Sequence, residues 1–343
     1  MIGFHNLRER FLKAIQNNTL SHAHLVVGPN GIGKSRLVES LSRELLGFGD
    51  RNSVDIVRIR PEKTIITVKQ IREVVLEASL RPYEGLKKVI IFYEANKMGQ
   101  EAQNALLKTI EEPLEGVYFF LLTENEMSMT DTILSRCHLH KLHPLGDEEM
   151  EEYIERFMVF FNEEEESRYE RELAQKESLK TKGQVEEKKI LHLTQEQILG
   201  VISVSRGIPE RAEEIMKNQL IDENLQLIYR LFETLAKLKR DRSRMYYPVL
   251  ELNQEITSKE LGSFFDDVIF VINTILKKKS LGIDGILLED LREKTDLLST
   301  ELTYTMLEKY LSIFYDRRKY ITLGVNINKE TIINSLLLKL LEV

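Results

Sequence analysis

Over its first 145 residues the chain alternates two hydrophobic patterns. Short continuous apolar runs occur at 24–27 (HLVV), 54–59, 87–93 (KKVIIFY), 117–122 (VYFFLL) and 139–142. Runs of this length bounded by polar residues predict buried strands. Between them apolar residues recur every three or four positions, which predicts amphipathic helices. The first helix spans 5–17, with Leu7, Phe11, Leu12 and Ile15 on one face. A second carries Leu37, Val38, Leu41, Leu45 and Leu46, and a third spans 67–80, with Val68, Ile71, Val75 and Leu76 inward. Thr67 is placed to cap that third helix. A fourth, over 98–112, is stopped by Pro113, and a short helical turn covers 130–135. Strands alternating with helices predict an α/β domain with a parallel sheet covered on both faces.

At Pro144-Leu145-Gly146-Asp147 the strand signal ends, and the rest of the chain reads as helix. Residues 146–216 are expected to form a small helical domain. Within it, 163–189 is dense in charge and poor in apolar residues, the pattern of a solvated helix or a mobile loop. Residues 217–343 are expected to form an all-α domain. Leu225, Ile228, Leu231, Phe232, Leu235 and Leu238 make one stripe, and 264–275 a wider one. Ile332, Ile333, Leu336, Leu337, Leu340 and Leu341 close the chain. Such wide apolar faces must be buried. The domain boundaries are thus placed at 1–145, 146–216 and 217–343.

Composition narrows the class. The 343 residues are 42% hydrophobic and 30% charged, with a formal net charge of −7. That balance argues against a protein that coats nucleic acid, though a local basic face is compatible with it. No apolar run approaches 18 residues and no leader pattern is visible, so a cytoplasmic protein without a membrane span is expected. The single cysteine, Cys137, excludes an internal disulfide and a zinc-thiolate cage, so no zinc is expected. Cys137 reads as a packed small apolar residue. His22 and His24 are read as structural, without matching partners. His138, His140 and His143 are not read as metal ligands.

The strongest chemical signal is Gly28-Pro29-Asn30-Gly31-Ile32-Gly33-Lys34-Ser35, a G-x-x-x-x-G-K-S phosphate loop. Gly28, Gly31 and Gly33 let consecutive N–H groups curl toward a phosphate. Lys34 adds a point charge, Ser35 a hydroxyl ligand for Mg²⁺, and the helix that follows its positive dipole end. The run 24–27 before it and the helical spacing after it supply the strand–loop–helix context the motif requires. ATP or ADP with Mg²⁺ is the expected ligand. In P-loop NTPases a second strand ends in an aspartate that holds Mg²⁺. Here Tyr93 stands there, followed by Glu94. A phenol is neutral at pH 7 and a poor Mg²⁺ ligand. Glu94 cannot step back one place, because adjacent strand residues face opposite sides. The site is expected to bind nucleotide but to hydrolyse it poorly, unless a metal ligand comes from elsewhere. Arg136, in Ile133-Leu134-Ser135-Arg136-Cys137, suggests an arginine finger acting on a neighbouring subunit. Arg211, in Gly207-Ile208-Pro209-Glu210-Arg211-Ala212, is either a phosphate contact or a helix-surface charge.

Together these residues resemble AAA+ clamp-loader subunits, most closely those of the delta-prime type in bacterial DNA polymerase III. The resemblance lies in LSHAHLVVGPNGIGKS (20–35), TVKQIREV (67–74), RPYEGLKKVIIFYEANKM (81–98), EAQNALLKTIEEP (101–113), FFLLTEN (119–125) and TILSRC (132–137). GIPERA (207–212) and NINKETIINSLLLKL (326–340) agree more weakly. It implies an AAA+ domain, a helical lid and a C-terminal collar that assembles a pentamer. It implies gamma/tau and delta subunits as partners, and a sliding clamp placed on primed DNA during DNA replication. By the same resemblance, Glu94 matches the Walker B glutamate, Asn125 is nearest to the sensor-1 residue, Arg136 matches the finger and Arg211 sensor 2. Lys69 and Arg72 are candidates for DNA contact, since basic side chains at a helix start grip phosphates without reading sequence. The chain departs from the family pattern in lacking its four-cysteine module and in carrying Tyr93 for the Walker B aspartate. A non-hydrolysing stator fits that departure. The rivals are an autonomous gamma/tau-type or other AAA+ ATPase motor and a P-loop kinase of a small molecule.

Overall fold

The computed structural model describes residues 3–47, 49, 51–179, 189–240, 246–285, 288–322 and 328–343. The chain divides into two compact units, Met1–Tyr153 with Arg206–Arg211, and Ile154–Ser205 with Ala212–Val343.

The first unit is an α/β layer structure. Its elements run α1 (His5–Gln16), β1 (Ala23–Val27), α2 (Lys34–Leu46), β2 (Ile56–Ile59), α3 (Val68–Ala78), β3 (Lys88–Phe92), α4 (Gln100–Glu111), β4 (Val117–Thr123), α5 (Asp131–Leu134) and β5 (His138–Lys141). The five strands are parallel, in the order β2-β3-β4-β1-β5. Every residue of β1 and β3 is buried, which is why these strands read as unbroken apolar runs rather than alternating ones. Alternation sorts side chains to two cores. One holds Leu25, Ile90, Phe92, Phe119 and Leu121 with Ile71, Leu106 and Ile110. The other holds Val26, Val89, Ile91, Tyr93 and Phe120 with Phe11, Leu37 and Leu41.

The structure refines several expectations. β2 starts at Ile56, and Val54 is exposed. Thr67 caps α3 through a capping box in which its hydroxyl accepts from the Gln70 N–H and Gln70 Oε1 accepts from the Thr67 N–H. The inward face of α3 is Ile71, Val74 and Ala78. Leu76 is exposed, because it lies five positions from Ile71, well over a turn round the helix. The helix expected over 98–112 is α4, which starts at Gln100; a 3₁₀ turn at Ala95–Lys97 and two residues, Met98 and Gly99, precede it.

His22 and His24 are not without partners. His24 Nε2 donates to the Ser21 carbonyl at 2.8 Å, so its Nδ1 is an acceptor, and His140 Nε2 donates to it at 3.0 Å. His22 Nε2 lies 2.7 Å from the Ile110 carbonyl. His24 also stacks on Phe120, with ring centroids 4.9 Å apart. Burial, with the neighbouring His140, lowers the His24 pKa to about 3. Burial, with His138, lowers that of His140 to about 4. Both fall below the usual histidine value near 6.5, so the unfolded chain binds more protons as the pH drops from there. Stability is full above that value and falls on acidification. For His24, 2% exposed, each unit below pH 6.5 costs about 1.4 kcal/mol until about pH 3. Unfolding free energies from urea titrations at pH 7 and pH 5 should therefore differ by about 2 kcal/mol more in the wild type than in His24→Phe. An equally steep loss in the variant would show that another group titrates.

The second unit is helical. Its helices, with the one that leads into it, are α6 (Asp147–Leu179), α7 (Gln195–Ser205), α8 (Pro209–Lys217), α9 (Glu223–Arg240), α10 (Tyr246–Ser258), α11 (Leu261–Leu281), α12 (Glu289–Glu301), α13 (Tyr304–Thr322) and α14 (Lys329–Leu341). The expected apolar stripes are its core. Leu225, Ile228, Leu231, Phe232, Leu235 and Leu238 of α9 are all buried. So are Phe264, Phe265, Val268, Val271, Ile272 and Ile275 of α11, with Ile269 half-buried. α11 packs against α9, α12 and α13, and α10 against α9 and α14. The charged stretch 163–189 is helical as far as Leu179, and 180–188 lie outside the described residues. Residues 326 and 327 of the C-terminal motif also lie outside them.

Candidate nucleotide site

The phosphate loop follows the C-terminal end of β1. Gly28 N–H donates to the Thr123 carbonyl at 3.1 Å, which ties the loop to the end of β4. Gly31 and Gly33 take φ of +75° and +103°, conformations that L side chains rarely adopt. A Cβ at Gly31 would lie 2.9 Å from the Cβ and from Oε2 of Glu210. Gly33 caps α2 without a side-chain acceptor, and the first turn of α2 holds no acidic residue. Its leading N–H groups and dipole therefore favour an anion.

Lys34 Nζ donates to the carbonyls of Gly28 at 2.6 Å and Pro29 at 2.8 Å. Burial lowers the Lys34 pKa, and the charges of Glu124 and Glu210 oppose that shift. These two carboxylates are residues that motif reading missed. Glu124 directly follows β4, and Glu210 lies beside Arg211 in the motif already singled out. Glu210 N–H donates to the Gly31 carbonyl at 3.2 Å, so the first turn of α8 rests on the loop apex. Ser35 is exposed on the first turn of α2, and Arg211 is half-buried on α8.

Asn125 uses its side chain locally. Its Oδ1 accepts from the Met127 N–H at 2.9 Å. Thr123, also unsuspected from sequence, is buried at the end of β4, with its hydroxyl bonded to the Asn125 carbonyl and to Ser128 Oγ.

At the end of β3, Tyr93 is 3% exposed and its hydroxyl donates to Glu39 Oε1. Glu39 is also held by two hydrogen bonds from Arg58, each 2.8 Å. The Arg60 guanidinium lies 3.9 Å above the Tyr93 ring. Burial, with the Glu39 bond and charge, pushes the Tyr93 pKa up to about 12. The Arg58 hydrogen bond leads in holding Glu39 below its ordinary value. Glu94 is exposed and left-handed, at φ 53°, and caps the following 3₁₀ turn. A magnesium ion does not fit this donor set. Ser35 offers a hydroxyl, but the β3 position offers a neutral phenol already committed to Glu39. No group of three or more His, Cys, Asp or Glu able to hold a metal occurs among the described residues. Polyphosphate does fit the curled loop, Lys34 and the start of α2.

Arg136 lies elsewhere. It follows α5 and precedes β5, whose His138 pairs with His24 in β1. It therefore stands at the N-terminal rim of the sheet, whereas the phosphate loop leaves the C-terminal rim. The five residues of β1 separate them by roughly 16 Å. The guanidinium donates to Glu111, to the Thr132 carbonyl at 2.9 Å and to Ser135 Oγ at 3.1 Å. Cys137 beside it is buried, and burial pushes its thiol up to about 12, so it is no nucleophile at neutral pH. Lys69 and Arg72 are exposed on α3, with Lys69 3.8 Å from Glu73. The structure thus brings Gly28, Gly31, Gly33, Lys34 and Glu210 together and leaves Arg136, Lys69 and Arg72 outside that group.

Residues 4–146 match the family described as DNA polymerase III, delta subunit. Over these residues the chain is similar to AAA+ clamp-loader subunits. The chain is 28% identical over 154 residues to the replication factor C small subunit of Natronomonas pharaonis, covering 45% of this chain and 46% of the relative. It is 29% identical over 157 residues to DNA polymerase III subunit delta' of Bacillus subtilis, covering 41% and 48%. With DNA polymerase III subunit tau/gamma of Haemophilus influenzae the identity is 26% over 171 residues, covering 45% and 25%. The chain spans about half the length of the first two of these relatives, 46% and 48%, and a quarter of the third. Similarities this even do not separate a delta-prime role from the others. No helix among the described residues is long and apolar enough to cross a membrane.

Proposed function

We propose that the chain is a delta-prime-type stator of a DNA polymerase III clamp loader. It holds its place beside gamma/tau-type and delta-type subunits, helps seat a sliding clamp on primed DNA, and offers Arg136 to a neighbour's ATP. The observation that carries the reading is Tyr93. The strand position that would hold a metal-binding aspartate is filled by a buried, neutral phenol bonded to Glu39. Gly28, Gly31, Gly33, Lys34 and Ser35 would hold the polyphosphate, which supplies a structural ligand here rather than a fuel. Asn125, Glu94 and Arg211 are read as the flanking sensor-1, Walker B and sensor-2 positions. Residues 146–216 are read as the lid and 217–343 as the collar that assembles the complex. Lys69 and Arg72 are exposed, as a contact to DNA phosphates requires.

The intact phosphate loop favours a second reading, an ATPase motor of the gamma/tau type. Steady-state ATP turnover by the purified chain alone separates the two. The stator reading expects turnover indistinguishable from buffer, and recovery of the chain with partner ATPase subunits. Turnover near the ordinary enzyme range of about 1 s⁻¹ or more without partners would replace it with the motor.

A further inference from the structure

We infer that this phosphate loop takes its nucleotide as the metal-free polyphosphate anion, not as the magnesium complex. The inference rests on the nucleotide-binding reading above and concerns what the rim of the sheet offers beside the loop.

Residues four apart share a helix face, so Ser35 and Glu39 lie one above the other on α2, with Cβ atoms about 5–6 Å apart. Ser35 is the loop's metal-ligating hydroxyl. The side chain from the end of β3 reaches the same face of α2 one turn farther on, at Glu39, and it arrives as a phenol. Where a carboxylate would bring a full negative charge toward Ser35, Tyr93 brings none.

The nearest carboxylate on that face does not compensate. Glu39 is engaged by both Arg58 hydrogen bonds and by the Tyr93 hydroxyl. To ligate a cation it would have to release a guanidinium held at 2.8 Å on two atoms. Glu94 is exposed and left-handed at the start of a turn.

The cations on this rim act in the opposite sense. Tyr93 N–H donates to the Ile59 carbonyl at 2.9 Å, so the residue after β2, Arg60, emerges beside it and stacks on its ring. Lys34 stands within the loop itself. Glu124, directly after β4, and Glu210, in the first turn of α8, act on Lys34, whose ammonium sets a positive charge against theirs. Around Tyr93, then, the rim sets fixed cations and a neutral ring where the strand position of a metal site would carry an anion. The loop's N–H groups and Lys34 need no metal to hold phosphate.

Binding of ADP and of ATP to the full chain, measured by isothermal titration in Mg²⁺ and in EDTA, tests this. Both affinities are expected to agree within about threefold, less than 1 kcal/mol. Affinity at least about tenfold tighter with Mg²⁺ would overturn the inference while leaving nucleotide binding intact. No binding in either buffer would overturn the nucleotide reading itself, and this inference with it. Tyr93→Asp supplies the missing charge and should gain a Mg²⁺ preference of about tenfold or more. A folded Tyr93→Asp chain without that gain would show that Tyr93 is not the cause. The wild-type comparison decides the inference whether or not the variant folds.

Discussion

Replacing Arg136 by alanine is expected to lower ATP turnover in a reconstituted complex with gamma/tau-type subunits by about 10³-fold or more. The same change should leave nucleotide binding by this chain unaltered. The two effects separate because Arg136 and the phosphate loop occupy opposite rims of one sheet, roughly 16 Å apart along β1. An arginine there cannot reach a phosphate held in its own loop, so any effect on hydrolysis must pass to another subunit. The side chain is also set in advance. Glu111, the Thr132 carbonyl and Ser135 Oγ fix the plane of the guanidinium while leaving it about a third exposed. A planar fork oriented in this way loses little entropy on meeting a phosphate. Arg136→Lys should not restore turnover, since an ammonium lacks both the fork and the reach. Complex turnover within about threefold of wild type, with the variant chain incorporated, would refute the finger assignment.

The largest expected effect on stability is at Lys88. Its side chain is fully buried at the start of β3, and its Nζ donates to Glu77 Oε1 at 2.6 Å and to the carbonyls of Glu77 and Leu80 at 3.1 and 3.3 Å. These carbonyls belong to the C-terminal end of α3, where a cation satisfies acceptors that the helix leaves open. Lys88→Met keeps most of the stem and removes the charge. Breaking a buried pair typically costs about 3–5 kcal/mol. Glu77 is partly exposed and water can recover some of its hydration, so a loss of about 3 kcal/mol is expected here. Urea unfolding followed by circular dichroism measures it, and adding Glu77→Leu should recover part of the loss. A change below about 1 kcal/mol would mean that solvent replaces the ammonium.

Most of the first unit could be read along the chain because its signals are local. The runs HLVV, KVIIF and VYFFLL declare buried strands by themselves, and G-x-x-x-x-G-K-S declares its loop. Thr67 with Gln70 three residues on is likewise a short-range signature, and the capping box is present. What escaped was set by distant partners. His24 and His140 are 116 positions apart and meet only because β5 pairs with β1. Glu210 reaches Gly31 only through the return of the chain at the α8 entry. Which of Lys87 and Lys88 is buried depends on strand register, and nothing in the dipeptide decides it. Leu76 is apolar, yet the packing of α3 leaves it in solvent. Beyond Phe161 the apolar period of α6 fades, so its continuation to Leu179 rests on charged residues with good helix propensity, a weaker signal than periodicity.

The opposite placement of Arg136 and the phosphate loop also limits how such subunits can associate. A contact in which one molecule's donor meets the next molecule's acceptor cannot obey a two-fold axis, because each surface is matched to a different surface and not to itself. Association through this pair is head-to-tail, with a fixed direction. Every member of the series has one giving side and one receiving side, and a member at either end leaves one of them unused. A subunit that gives but does not itself turn over nucleotide is suited to the end where only giving is required.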